Sequence, residues 1–152
     1  MPTNREEPRP QRHCLKFRSL REAYAILRLE ADAPIPDWAT QAEFTSITRS
    51  QDELSIVCPA QGVPAHLHSP HRWICLKLEG PFPFSLTGVL LSFIQPLSDN
   101  GIPIFAISTY DTDYVFIQEE FARTAVTALQ QAGHELCNAD ESLRKLIPPG
   151  DI

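Results

Sequence analysis

The chain has 152 residues, 43% of them hydrophobic, which is enough for one or two small cores and excludes a disordered or fibrous polymer. Its 19 acidic and 13 basic residues leave a formal charge of −6, against a dedicated nucleic-acid binder, which needs a basic face to displace counterions. The longest apolar runs fall far short of the roughly 20 residues of a membrane-spanning helix, so small molecules and proteins are the partners to expect.

The opening MPTNREEPRPQRH is polar, charged and proline-rich, unlike a signal or transit peptide. Residues 1–22 are expected to be a disordered or partly ordered segment of a cytoplasmic protein. Cys14, Cys58, Cys75 and Cys137 are widely spaced with no C-x-x-C pair, a pattern of reduced core thiols and not of a disulfide framework or zinc ribbon.

AYAILRLE, 23–30, reads as a strand, and PIPDWA holds room for only a turn or so of helix. FTSITRS and ELSIVC then form a hairpin pattern. After the linker PAQGVPAHLHSPHR, WICLKLE alternates Ile74, Leu76 and Leu78 against Lys77 and Glu79, the signature of a half-buried strand. From Ser85 the period becomes helical through Leu86, Val89, Leu90, Phe93, Ile94 and Leu97, with Gly101 placed to end the helix and Pro96 inside its last turn. IPIFAIS and YVFIQ predict a second hairpin, EEFARTAVTALQQAG a second helix, and HELC a short last strand.

The second half is therefore β-α-β-β-α-β, a ferredoxin-like order, and the first half looks like a shortened copy of it. TRSQDELSIV echoes TYDTDYVFI, with Glu53 or Asp113 just before each returning strand. The expected architecture is α+β, with two ferredoxin-like lobes packed side by side, the first truncated. Its parts are a truncated lobe at 23–62, a linker at 63–72, a complete lobe at 73–138 and a tail at 139–152.

Two stretches carry candidate chemistry. In GPFPFSLTG a helix start presents unpaired N–H groups and the positive end of its dipole, suited to a ligand carboxylate, with Ser85 or Thr87 adding a hydroxyl and Gly88 allowing close approach. In STYDTD, two carboxylates and three aliphatic hydroxyls crowd a hairpin turn, among them Thr109, and Asp113 is placed to pair with an ammonium group. Local side-chain to backbone bonding is the preferred account of Ser85, as a helix cap, and of Asp111, as a turn residue. His66, His68 and His71 lack a nearby Cys, Asp or Glu to complete a zinc site, so no metal is expected. No Walker loop, G-x-S-x-G, G-x-G-x-x-G or H-E-x-x-H occurs, so neither a cofactor nor an enzyme activity is expected.

WICLKLEGPFPFSLTGVL, GIPIFAISTYDTDYVFI and FTSITRSQDELSIVCP closely resemble the tandem ACT-like proteins of bacteria and fungi, whose lobes are similar to the CASTOR-type arginine sensors. The resemblance runs from about Ala23 to Leu136. It implies a regulatory protein that holds an amino acid or other small effector at a lobe or subunit interface, with Gly88, Asp113, Pro103 and Ile104 at ligand-contacting positions. Pro103 stands where those sensors carry a serine, which argues against arginine itself. The resemblance further implies that Tyr110 and Asp111 face a protein partner. A protein-interaction module with a vestigial pocket is the competing expectation, and open strand edges leave room for a homodimer.

Overall fold

A computed structural model describes residues 12–151. The part of the expected N-terminal segment at residues 1–11 lies outside the described residues.

The β-α-β-β-α-β order of the second half is present. Strand β4 (Trp73–Leu78) is followed by helix α1 (Val89–Asp99), the hairpin β5 (Ile104–Ser108) and β6 (Asp113–Gln118), helix α2 (Ala122–Gln131) and strand β7 (Glu135–Asn138). The alternation of β4 places Ile74, Leu76 and Leu78 in one core with Val115 and Ile117 of β6, under Phe93 and Leu97 of α1 and Val126 and Leu129 of α2. A short helix α3 (Glu141–Arg144) adds Leu143 to the same core.

The first half departs from expectation. It supplies β1 (Lys16–Leu29), β2 (Ser46–Arg49) and β3 (Leu54–Pro59), with a single 3₁₀ turn at Asp37–Ala39 where PIPDWA allowed a turn of helix. These strands do not build a second ferredoxin-like lobe beside the first. All seven strands share one sheet, ordered β2-β3-β1-β4-β6-β5, with β7 also on β1. The physical reason is β1 itself, which starts at Lys16 instead of Ala23 and is long enough to serve both halves. One edge of β1 runs antiparallel to β4; the other pairs with β7 in parallel at Lys16–Arg18 and with β3 antiparallel at Tyr24–Leu29. The register against β4 slips between Ser19 and Ala23, a bulge that bends the strand between its two sets of partners.

The two hairpins close with the same turn, one residue out of the expected echo: Arg49 pairs with Leu54 as Ser108 pairs with Asp113, so Glu53 stands where Thr112 does and not Asp113. Ser50 N–H donates to the Glu53 carbonyl at 2.9 Å, as Thr109 N–H donates to the Thr112 carbonyl at 2.8 Å. On the face away from the helices, Leu20, Tyr24, Val57, Cys75 and Phe116 form a second cluster, and Phe44 closes it from the loop before β2. No helix among the described residues is long and apolar enough to cross a membrane.

Candidate functional site

The loop between β4 and α1 and the tip of the β5–β6 hairpin meet at one end of the sheet. Much of the polar chemistry in STYDTD is used to join them. Thr112, buried, donates its hydroxyl to the Leu78 carbonyl at 2.8 Å, and Phe82 N–H donates to the Asp111 carbonyl at 2.8 Å. A β-carbon on Gly80 would lie 2.9 Å from that same Asp111 oxygen, so the approach needs glycine there. Thr109 closes the turn, its hydroxyl donating to the Thr112 carbonyl at 3.1 Å. Beyond these ties, Phe84 and Tyr110 meet edge to face, centroids 4.9 Å apart, although both are largely exposed, at 76% and 80%.

Asp113 opens β6 opposite Ser108 and accepts a hydrogen bond from the Ser108 hydroxyl at 2.5 Å. It is half-buried and joins no ion pair among the described residues. Helix α1 starts at Val89, later than the expected Ser85, because Leu86 N–H bonds the Pro83 carbonyl in a turn and Gly88 takes φ 79° at the N-cap. Among the described residues that N-cap receives no side-chain hydrogen bond, and Ser85 and Thr87 are exposed beside it. Ser85, Thr87, Gly88, Thr109, Tyr110, Asp111 and Asp113 therefore lie at the same end of the sheet. Pro103 and Ile104 do not: Ile104 pairs with Ile117 at the far end of the hairpin, four strand steps or about 13 Å from Ser108.

Three residues that the sequence reading passed over anchor this end of α1. Pro96 has no N–H for the Ser92 carbonyl four residues before it. His134, buried, fills the gap: its Nε2 donates to that carbonyl at 2.9 Å, while its Nδ1 accepts the Leu15 N–H at 3.0 Å. The two partners fix the neutral Nε2–H tautomer. The Ser92 hydroxyl donates to the Gly88 carbonyl at 2.6 Å and accepts the His13 N–H at 3.0 Å, and the His13 ring contacts the Thr87 carbonyl at 2.8 Å. A proline four residues after Ser92 was the available signal, since it announces an orphaned carbonyl.

The linker histidines do not converge: His68 contacts the Val63 carbonyl at 2.8 Å, while His66 and His71 are exposed. Among the described residues, no group of three metal-ligating side chains comes together. All four cysteines are free, Cys58 and Cys75 buried and Cys14 and Cys137 exposed. Burial pushes the Cys58 thiol up to about 11 and raises Cys75, Tyr24 and Tyr114 as well.

Residues 68–131 match the ACT domain family, and a second family model, for an N-terminal domain, matches residues 22–66. The solved structure of Atu0741 from Agobacterium tumefaciens is 42% identical, with a TM-score of 0.77 over 83% of this chain and 94% of that one. VC0802 from Vibrio cholerae, a protein of unknown function, superposes with a TM-score of 0.63 at 22% identity over 78% of this chain and 90% of that one, a likeness of fold alone. The human protein CASTOR3P is 29% identical over an aligned length of 91, with 51% of this chain and 56% of that relative covered, so the match spans little more than half of its length. The chain carries an ACT domain at residues 68–131 and is related to Atu0741 over most of both chains.

Proposed function

We propose that this chain is a non-catalytic regulatory protein that binds a small effector, an amino acid, at the end of the sheet where the β4–α1 loop meets the β5–β6 hairpin. The observation that carries the reading is the uncapped start of α1 at Gly88, held in place through Ser92 and brought to the same end as the unpaired carboxylate of Asp113. Free N–H groups and a carboxylate are the complements of a ligand's carboxylate and ammonium. Ser85, Thr87 and Thr109 supply neighbouring hydroxyls. Pro103 and Ile104 join such a site only from a second subunit, given their place at the other end of β5. Ligand binding then biases one placement of subunits over another, to the extent that it binds the two unequally. Free thiols, two of them exposed, fit a cytoplasmic setting.

The test is thermal unfolding with each of the twenty common amino acids, on the wild type and on Asp113→Asn, which retains an acceptor for Ser108. An effector at about a hundred times its dissociation constant adds about 2.7 kcal/mol, roughly 5–11 °C for a chain of this size. A shift in the wild type that Asp113→Asn reduces supports the reading; no shift from any amino acid, or shifts that Asp113→Asn leaves whole for every amino acid, removes it.

A second reading rests on the exposed pair Phe84 and Tyr110. Two aromatic rings in solvent at a rigid hairpin tip, next to Asp111, suit a protein partner's contact. Loss of partner capture in Tyr110→Ala, with amino-acid binding retained, would distinguish it.

A further inference from the structure

On the opposite side of β1 from β4, no strand among the described residues pairs the edge between Arg18, where the pairing with β7 ends, and Tyr24, where the pairing with β3 starts. A cleft of about 530 Å³ opens there, lined by Arg21, Glu22, Arg72, Glu119, Glu141 and Lys145 among others. Ser19 and Leu20 at its margin are already committed, Ser19 accepting the Asp140 N–H at 2.7 Å and the Leu20 carbonyl accepting the Ser142 hydroxyl at 2.8 Å.

The charges of the cleft cancel in a specific way. Arg72 pairs with Glu119 at 3.3 Å and Lys145 with Glu141 at 2.9 Å, the latter holding the Glu141 carboxyl below the usual range with help from Arg21. Among the described residues Arg21 and Glu22 enter no ion pair. Neighbours in a regular strand point to opposite faces. Here the bulge between Ser19 and Ala23 lets both line one cleft. One guanidinium and one carboxylate are left unmatched in a lining whose named cations and anions balance. A simple anion at Arg21 would meet the field of Glu22 and Glu141; a molecule with one carboxylate and one ammonium satisfies both residues at once.

We propose that this cleft is a second ligand site, separate from the end of α1, which takes a small zwitterion with its carboxylate on Arg21 and its ammonium on Glu22. The volume is in the range of small-molecule sites. Its walls come from three parts of the chain: Glu22 and Gln61 from the N-terminal unit, Arg72 and Glu119 from the ACT unit, and Glu141 and Lys145 from the tail. A ligand there fastens the three together.

Isothermal titration of the full chain with the twenty common amino acids, then with the N-acetyl and amide derivatives of the tightest binder, tests this. Wild type, Arg21→Gln, Glu22→Gln and Asp113→Asn are compared. The expected result is binding that survives Asp113→Asn, weakens by roughly tenfold or more in both cleft variants, and is lost when either ligand charge is capped. Binding abolished by Asp113→Asn and kept by Arg21→Gln overturns the cleft while leaving the site at α1 standing. Equal binding of a singly charged derivative, or no binding by any probe, also overturns it.

Discussion

His134→Ala is the substitution with the largest consequence that the fold predicts. It strips partners from two backbone groups, the buried Leu15 N–H and the part-buried Ser92 carbonyl, and removes a ring packed 5.4 Å from Phe93. A buried group left unpaired costs about 1–3 kcal/mol, so a loss of roughly 3–4 kcal/mol is expected. For a chain of this size that lowers Tm by roughly 6–16 °C. The mechanism is tested more sharply by adding Pro96→Ala, which restores an N–H facing the Ser92 carbonyl. With His134 present that new N–H must compete with the imidazole; without His134 it finds a free acceptor. Pro96→Ala is therefore expected to be more favourable by about 1 kcal/mol in the His134→Ala background than alone. Urea unfolding of the four proteins gives the coupling. Effects that add to within about 0.5 kcal/mol would show that His134 does not substitute for the missing proline N–H.

Two further outcomes follow from burial and close approach. The buried Cys58 and Cys75 thiols, raised by desolvation, keep protons in the fold that the unfolded chain gives up above about pH 8.5. Their contribution to stability is whole at neutral pH and falls as the pH rises, by on the order of 1.4 kcal/mol per pH unit for each thiol once titrating. A Tm unchanged between pH 8 and 10.5 would contradict this. Gly80→Ala forces a methyl group to 2.9 Å from the Asp111 carbonyl and should cost about 1–3 kcal/mol, with amide-exchange protection at Phe82 lost first; an unperturbed Phe82 amide would contradict the tie between loop and hairpin.

Strands such as β4 and β6 were legible because their two faces meet different surroundings, so Ile74, Leu76 and Leu78 had to alternate with Cys75 and Lys77. The start of β1 was not. Its first residues KFRSLRE carry charges at Lys16, Arg18, Arg21 and Glu22, which reads as polar chain, yet Phe17, Leu20 and Ser19 are fully or almost fully buried. Sharing of β1 between two halves is a non-local pairing, and no local periodicity encodes which distant strand lies alongside. Helix α1 was misplaced at its start because LTG continues the apolar spacing, while the left-handed backbone at Gly88 is a tertiary choice. The density of polar groups in STYDTD was visible at once. What it could not disclose was that Thr112 turns inward to the Leu78 carbonyl while the Asp113 carboxylate takes the Ser108 hydroxyl.

The shared strand also decides how the protein unfolds. Phe17 sits in the helix-side core with Ile74 and Phe93, Tyr24 in the opposite cluster with Phe116, and Ala25 in a third cluster with Ile56 beside Trp38. Separating the N-terminal unit from the ACT unit would therefore open both edges of β1 and break the first two clusters at once, and the third, which lies within residues 25–67, is tied to them through β1. Two independent lobes would instead melt as two steps. Trp38 packs in the N-terminal cluster and Trp73 opens β4, so Trp38→Phe and Trp73→Phe each leave one fluorophore to report on one side. Their urea curves should share, after correction for each substitution's own stability change, one midpoint and one slope with far-UV circular dichroism. A Trp38 transition that precedes the loss of helix would mean that β1 does not couple the halves, because the N-terminal hairpin could then leave while β1 remained paired with β4 and β7.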